Sequence, residues 1–182
     1  MKNVPEIFLE LEDTEWPLDS IDHDRHIARA VVFDDDGYLY FVRCDRDDAF
    51  GKAAFLETSG GGMEEGETPE ETVIRELREE LGAETEIICK IGIVSDYYNL
   101  VHMHNINNYF LCRALSFGKR HLMPDEIDDF HLTVRRMRIE EAIAWYRRYA
   151  CTRIGRLIAA RELPVVFKAA EILQLEKGRE ED

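Results

Sequence analysis

Three glutamates, Glu76, Glu79 and Glu80, stand close enough in the chain to act together, and a run of glycines precedes them. At about 100° per residue their carboxylates fall on one arc of a helix, while Val73, Ile74, Leu77 and Leu81 fall on another. One arc is built for the core and the other gathers negative charge. Carboxylates this close repel and raise each other's pKa, so a hard divalent cation with oxygen ligands, Mg2+ or Mn2+, is their natural neutraliser. An acidic helix face turned to water has the same local pattern. What separates the two readings is the wider spacing. Upstream, Ser59-Gly60-Gly61-Gly62 can bend as only glycine allows and bring peptide groups close to an anion or a metal.

The helix carrying these acids has clear ends. Thr68 suits the N-cap, Pro69 the first helical position, and Glu71 three residues after Thr68 completes a capping box; Gly82 supplies the stop. Residues 61–83 read GGMEEGETPEETVIRELREELGA: Gly61, five residues, Glu67, seven residues, then Arg75-Glu76-Leu77-Arg78-Glu79-Glu80-Leu81-Gly82-Ala83. This pattern resembles the signature of the Nudix hydrolases along its whole length. Every charged and glycine position agrees. Ala83 replaces a usually larger aliphatic residue, and Ser59 stands where that family often has proline before the glycines.

The resemblance implies a fold, a reaction and a set of site residues. The fold is α/β, an α/β/α sandwich with a mixed sheet between helices. The reaction is metal-dependent hydrolysis of a diphosphate linkage in a nucleoside diphosphate joined to another group. Glu76, Glu79 and Glu80 would hold Mg2+ or Mn2+, helped by a backbone carbonyl of Gly60 or Gly61. Glu67 and Arg75 would tie the loop to the helix. Glu79 is the base within the motif, and a later loop acid, first Glu126 and then Asp125, Asp128 or Asp129, is its rival. Arg43, at the end of a strand, stands where the family often meets substrate phosphate, and Tyr98 lies near a tyrosine held by enzymes acting on diadenosine polyphosphates.

Composition bounds these readings. At 182 residues, 45% hydrophobic and 34% charged, the chain has enough residues for one globular domain with a full core. We read residues 1–26 as an N-terminal extension and 139–177 as helices packed on the domain. A net charge of −15 repels phosphates at long range, so an anionic substrate must be met by metal ions and placed cations, and non-specific nucleic-acid binding is disfavoured. Four scattered cysteines without CxxC spacing, no signal-peptide pattern and no long apolar run point to the cytoplasm rather than a membrane. A homodimer, common in the family, is an open expectation.

Along the chain, residues 7–12 alternate as a short strand, and 27–33 and 38–44 flank an aspartate-glycine turn as a hairpin. Residues 45–52 read as a polar surface loop, 54–58 as a strand delivering the glycines, and 84–95 as a further strand. Tyr97, Tyr98 and Asn105 could touch a nucleoside by stacking or by amide hydrogen bonds. His102 and His104 share one side of a strand, and His23 and His26 lie near acids; neither pair is needed as a second metal site. A strand is expected over 131–137 and a helix from Ile139, with Pro164 opening another helix. The arginines between positions 135 and 161 read as partners for the protein's own carboxylates. A nucleotide-sensing, non-catalytic Nudix domain is the alternative function. Prenyl diphosphate isomerisation would ask for a cysteine motif that is absent.

Overall fold

A computed structural model describes residues 5–128 and 130–180; nothing is said of the side chains of Asp125, Asp128 and residues 175–180. Strands β1 (Ile7–Leu11), β2 (His23–Phe33), β3 (Leu39–Asp48), β4 (Gly51–Glu57) and β5 (Ser59–Gly62) precede helix α1 (Pro69–Glu76), which runs into a π-helical turn at Leu77–Leu81. Then come β6 (Ala83–Tyr98), a 3-10 turn at Asn99–Val101, β7 (Met103–Phe117), α2 (Pro124–Asp128), β8 (Thr133–Met137), α3 (Ile139–Tyr149) and α4 (Arg153–Glu180).

The sheet is mixed, in the order β1-β6-β7-β2-β3-β4, with β5 on β2 and β8 on β3. β1 runs parallel to β6 and β2 parallel to β7; the other pairs are antiparallel. Because side chains alternate across a strand, β2 is apolar on both faces and needs cover on each. Val31 and Phe33 pack with Tyr146 of α3 and Val165, Val166 and Ala169 of α4. Ala28, Ala30 and Val32 pack with Val73, Leu77 and Leu81. The α/β/α sandwich expected from the sequence is therefore present, and it presses the acidic helix onto the middle of the sheet.

Three local expectations change. Residues 45–52 form no open loop: β3 and β4 pair from Val42↔Glu57 to Asp48↔Gly51. Asp48 Oδ1 accepts a hydrogen bond from the Phe50 N–H at 3.0 Å, and the Phe50 ring packs edge-on against Trp16 and Tyr98, which holds the hairpin tip down. Pro164 lies inside α4 rather than opening a helix. A proline inside a helix costs about 3 kcal/mol through the lost hydrogen bond and the clash of its ring with the preceding turn, but Val165, Val166 and Ala169 are all fully buried against the sheet and hold the helix through it. The first strand of the N-terminal segment is an edge strand of the main sheet. Among the described residues no helix is long and apolar enough to cross a membrane.

Candidate active site

The glycine strand and α1 meet at the centre of the sheet. Thr68 Oγ1 accepts from the Glu71 N–H at 3.2 Å, and the Glu71 carboxylate accepts from the Thr68 N–H at 2.9 Å, so the capping box closes as the sequence requires. β5 passes between β2 and α1 with no room for a side chain at Gly60 or Gly61. A Cβ on Gly60, whose φ is +145°, would sit 2.2 Å from the Ala28 carbonyl oxygen. On Gly61 it would sit 2.5 Å from Glu76 Oε1. The glycines are what let the backbone come within reach of the carboxylates.

Arg75 is the hub of this loop-helix unit. Its Nε and Nη2 donate to Glu67 at 2.8 and 2.9 Å, Nη2 also to the Gly62 carbonyl at 3.0 Å, and Nη1 to Glu76 at 2.7 Å and Glu79 at 3.2 Å. Glu67 also accepts from the Thr72 hydroxyl and the Glu64 N–H. The Arg75 hydrogen bonds, then those two donors, hold the Glu67 carboxyl down at about 2. The tie between Glu67 and Arg75 that the resemblance implies is thus formed.

Glu80 has a different environment. It is buried, its Oε2 accepts from the Ser59 hydroxyl at 2.5 Å and the Gly60 N–H at 2.8 Å, and among the described residues no cation pairs with it, Arg29 acting only from a distance. Burial pushes its pKa up to about 8, with the nearby Glu76 adding to the shift and the two donors only partly opposing it. Glu76 is also raised, first by burial and then by Glu79 and Glu126, against the pull of Arg75. The π-helical turn alters the single arc expected for the three acids. Glu76 and Glu80 face one cavity, whereas Glu79 does not line it and is drawn to Arg75. Among the described residues no three acids, histidines or cysteines already stand as a metal-ligand set. The donor chemistry nonetheless fits a hard cation: two buried carboxylates of raised pKa with the glycine backbone beside them.

The cavity holding Glu76 and Glu80 measures 210 Å³ and is also lined by Gly60, Gly61 and Glu126. Glu126, in α2, accepts from the Met123 N–H at 2.7 Å. Of the other acids proposed beside it, Asp129 and the side chains of Asp125 and Asp128 lie outside the described residues. A second cavity of 290 Å³ adjoins the first, and both are lined by Arg25, Arg29, Arg46 and Glu57. Its remaining walls are mostly apolar or aromatic, with Phe50, Phe55, Tyr98 and Met103, together with Asn105 and Arg161.

The shared arginines differ in how they are occupied. Arg29 donates to the Thr58 carbonyl and Asn107 and lies 3.8 Å from Glu57. Arg46 pairs with Asp48 at 2.6 Å, yet its buried Nε has no partner among the described residues. Arg25 makes no hydrogen bond or ion pair among them. Arg43 lines neither cavity: it lies on the opposite face of β3, paired with Asp45 at 2.7 Å beside the Trp145 ring. Tyr98 does line the second cavity, and its hydroxyl accepts from Arg161 at 2.9 Å.

Arg161, on α4, is almost wholly buried and pairs with Glu57, Asp96 and Glu162. Arg136 pairs with Asp34 and Asp36, and Arg156 with Glu15. These ion pairs match the reading of that segment as a partner for the protein's own acids. His104 bonds Ser95 and Asp24, and His102 lies against Ser20, so both histidines are engaged in the protein's own hydrogen bonds. Sequence reasoning missed Arg25, Arg46 and Glu57. The alternation Val42, Cys44, Arg46 along β3 is the signal that could have chosen Arg46 over Arg43.

Three comparisons bear on this arrangement. No curated protein sequence matches the chain. Among solved structures, a NUDIX hydrolase from Nitrosomonas europaea is similar at 18% identity and a TM-score of 0.59, over 85% of this chain and 91% of that one. A MutT NUDIX hydrolase from Burkholderia pseudomallei is similar at 19% identity and a TM-score of 0.52, over 65% and 86%. A UDP-X diphosphatase is similar at 14% identity and a TM-score of 0.52, over 84% and 66%. At such identities the likeness speaks for the fold. Residues 24–152 match the NUDIX domain family, a span that holds the glycine strand, α1 and Glu126, and the chain belongs to that family.

Proposed function

We propose that the protein is a divalent-metal-dependent pyrophosphohydrolase that cleaves a phosphoanhydride bond in a nucleoside diphosphate joined to another group. The observation carrying this reading is the junction of the two cavities. One is walled by carboxylates suited to a cation, the other by apolar and aromatic side chains, and three arginines stand between them. A diphosphate with a ring system at one end has that same order of chemistry. Family membership supports the reaction class, since Nudix hydrolases are generally pyrophosphohydrolases that use divalent metals.

Glu76 and Glu80 would hold the cation, Mg2+ or Mn2+, with Glu79 joining when it leaves Arg75 and with the Gly60 or Gly61 carbonyl nearby. The cation supplies neutralisation of the diphosphate and a more acidic water. Arg25 and Arg46 receive phosphate oxygens, because Arg25 has no side-chain partner and Arg46 Nε has none among the described residues, whereas Arg29 is held by Thr58, Asn107 and Glu57. Glu126 takes the proton of the attacking water: it faces the cavity, whereas Glu79 is turned to Arg75. Water adds to one phosphorus, the bridging P–O bond breaks, and the departing phosphate carries the electron pair away. Arg75 and Glu67 position the glycine loop. Phe50, Tyr98 and Met103 enclose the nucleoside. The buried Cys44 and Cys112 thiols support a cytoplasmic setting.

The test is phosphate and nucleotide release with Mg2+ over ADP-ribose, nucleotide sugars, dinucleoside polyphosphates and nucleoside triphosphates, for the wild type and for Glu76→Gln and Glu126→Gln. Turnover that collapses in both variants is expected. Nucleotide binding without turnover of any compound would sink the hydrolytic reading and favour a sensor.

A further inference from the structure

β7 carries three buried asparagines, and the protein satisfies two of them. Asn107 Nδ2 donates to the Val94 carbonyl at 3.0 Å and to Asp96 at 2.8 Å, while its Oδ1 accepts from Arg29. Asn108 accepts from Lys90 at 3.1 Å and donates to the Ile27 carbonyl at 3.5 Å. Asn105 differs. It is 4% exposed, lines the 290 Å³ cavity, and its Oδ1 has no hydrogen-bond partner among the described residues. A buried amide oxygen without a donor destabilises the fold unless something outside the chain supplies one.

Its neighbour Arg25 is exposed, and its side chain has no hydrogen bond or ion pair among the described residues. In the parallel ladder of β2 and β7, Arg25 stands directly beside Asn105. Arg25 also lines both cavities, so its guanidinium lies where the carboxylate end meets the aromatic end. Neighbouring strands are about 4.8 Å apart, which brings a cation and a hydrogen-bond acceptor to adjoining points on the cavity wall.

We propose that Asn105 and Arg25 form a two-part specificity subsite: Arg25 binds the phosphate nearest the nucleoside, and Asn105 Oδ1 accepts a hydrogen bond from a donor on that nucleoside. The inference rests on the reading of the cleft as a nucleoside diphosphate site and names the group that it selects. Two donors have the required chemistry, a ribose hydroxyl and a base N–H. The ribose hydroxyl is one sugar away from the phosphate and matches the adjacency of the two side chains. A substrate without the donor leaves Asn105 buried and unpaired in the complex, and such sites discriminate strongly.

The test measures kcat/KM with Mg2+ for the full chain on ADP-ribose and UDP-glucose. Each is compared with its 2′-deoxy and 3′-deoxy nucleoside forms, and with forms carrying purine in place of adenine or N3-methylated uracil. The wild type should disfavour one deoxy form by about 10- to 100-fold. Asn105→Leu should erase that preference by slowing the ribose compound, and its thermal midpoint should hold, since the Asn105 side chain makes no hydrogen bond within the fold. Asn105→Asp keeps an acceptor and should keep the preference, which serves if the leucine variant folds poorly. Arg25→Gln should slow every compound by a similar factor and leave the ratio unchanged.

A preference found only at the base-modified compounds and erased by Asn105→Leu supports the subsite with a base N–H as donor. A preference that survives in Asn105→Leu, or no preference in the wild type, overturns the inference. If the wild type binds these nucleotides without cleaving them, the hydrolytic reading fails alone. The same ratios read as dissociation constants by calorimetry then decide the subsite. No binding of any of them by the wild type overturns both.

Discussion

Glu57 and Glu80 are both largely buried and both face the same cleft, yet their surroundings drive them to opposite charge states. Burial alone would raise Glu57, but Arg29 and Arg161 outweigh it and hold its carboxyl at about 2. Glu80 has a hydroxyl and a peptide N–H but no cation, and burial takes it to about 8. The network around Glu57, with Arg161, Asp96, Glu162 and the Tyr109 hydroxyl, is complete within the chain. In the function we propose, the cluster around Glu80 is completed by a cation from outside. The difference separates a region that holds the fold from the region to which we assign the chemistry, even though both are made of glutamates and arginines.

Breaking the closed region should give the largest effect on stability. Arg161→Met leaves three buried carboxylates without their shared cation, and loss of one partner of a buried pair costs about 3–5 kcal/mol; urea unfolding of the variant reads it directly. Breaking the open region should leave stability nearly intact and abolish function instead. Glu80→Gln should lower turnover on the order of 10²- to 10³-fold, while its midpoint in metal-free buffer near pH 5, where Glu80 is protonated in the fold, shifts by no more than about 3 °C. A Glu80→Gln variant that unfolds like Arg161→Met would erase the distinction.

The two glutamates should also part company in their pH dependence. The folded pKa of Glu57 is depressed to about 2, so its stabilisation is present above its ordinary value of 4.5 and is lost as pH falls from there through about 2. For Glu80 the folded pKa is raised to about 8, so its contribution is present below 4.5 and declines as pH rises through about 8. Thermal midpoints of metal-free protein from pH 3 to 9 should therefore show an acid limb below pH 4.5 that Glu57→Gln flattens and a decline between pH 4.5 and about 8 that Glu80→Gln flattens. The smallest effect is at the cap. Thr68→Ala removes one side of the capping box and should cost about 1 kcal/mol, with turnover falling only as far as α1 frays.

The open region was legible in the sequence because its parts are local. The glycines, the Thr68 cap, Arg75 and the glutamates lie within one loop and one helix, where spacing translates into geometry. The π-helical turn at Leu77–Leu81 was not legible, and it is what parts Glu79 from Glu76 and Glu80. The closed region was hidden because its members come from β2, β4, β6, β7 and α4, and only the pairing of the sheet and the packing of α4 on it bring them together. Arg25 and Asn105 are eighty residues apart and meet through the parallel pairing of β2 with β7. Arg43 and Arg46 show the limit most sharply. Both are on β3, and the pleat decides which of them reaches the cleft. The mixed sheet between helices was implied by the Nudix resemblance, with apolar periodicity agreeing, while the hairpin at Ala49 and the unbroken α4 depended on packing that a local pattern does not carry.

The most direct measurement is Mn2+ binding followed by electron paramagnetic resonance at pH 8, for the wild type and Glu80→Gln. Our account has the wild type holding Mn2+ and the variant losing at least about 10- to 100-fold in affinity. Equal affinity in the two proteins would contradict it and move the cation away from the Glu76 and Glu80 cavity.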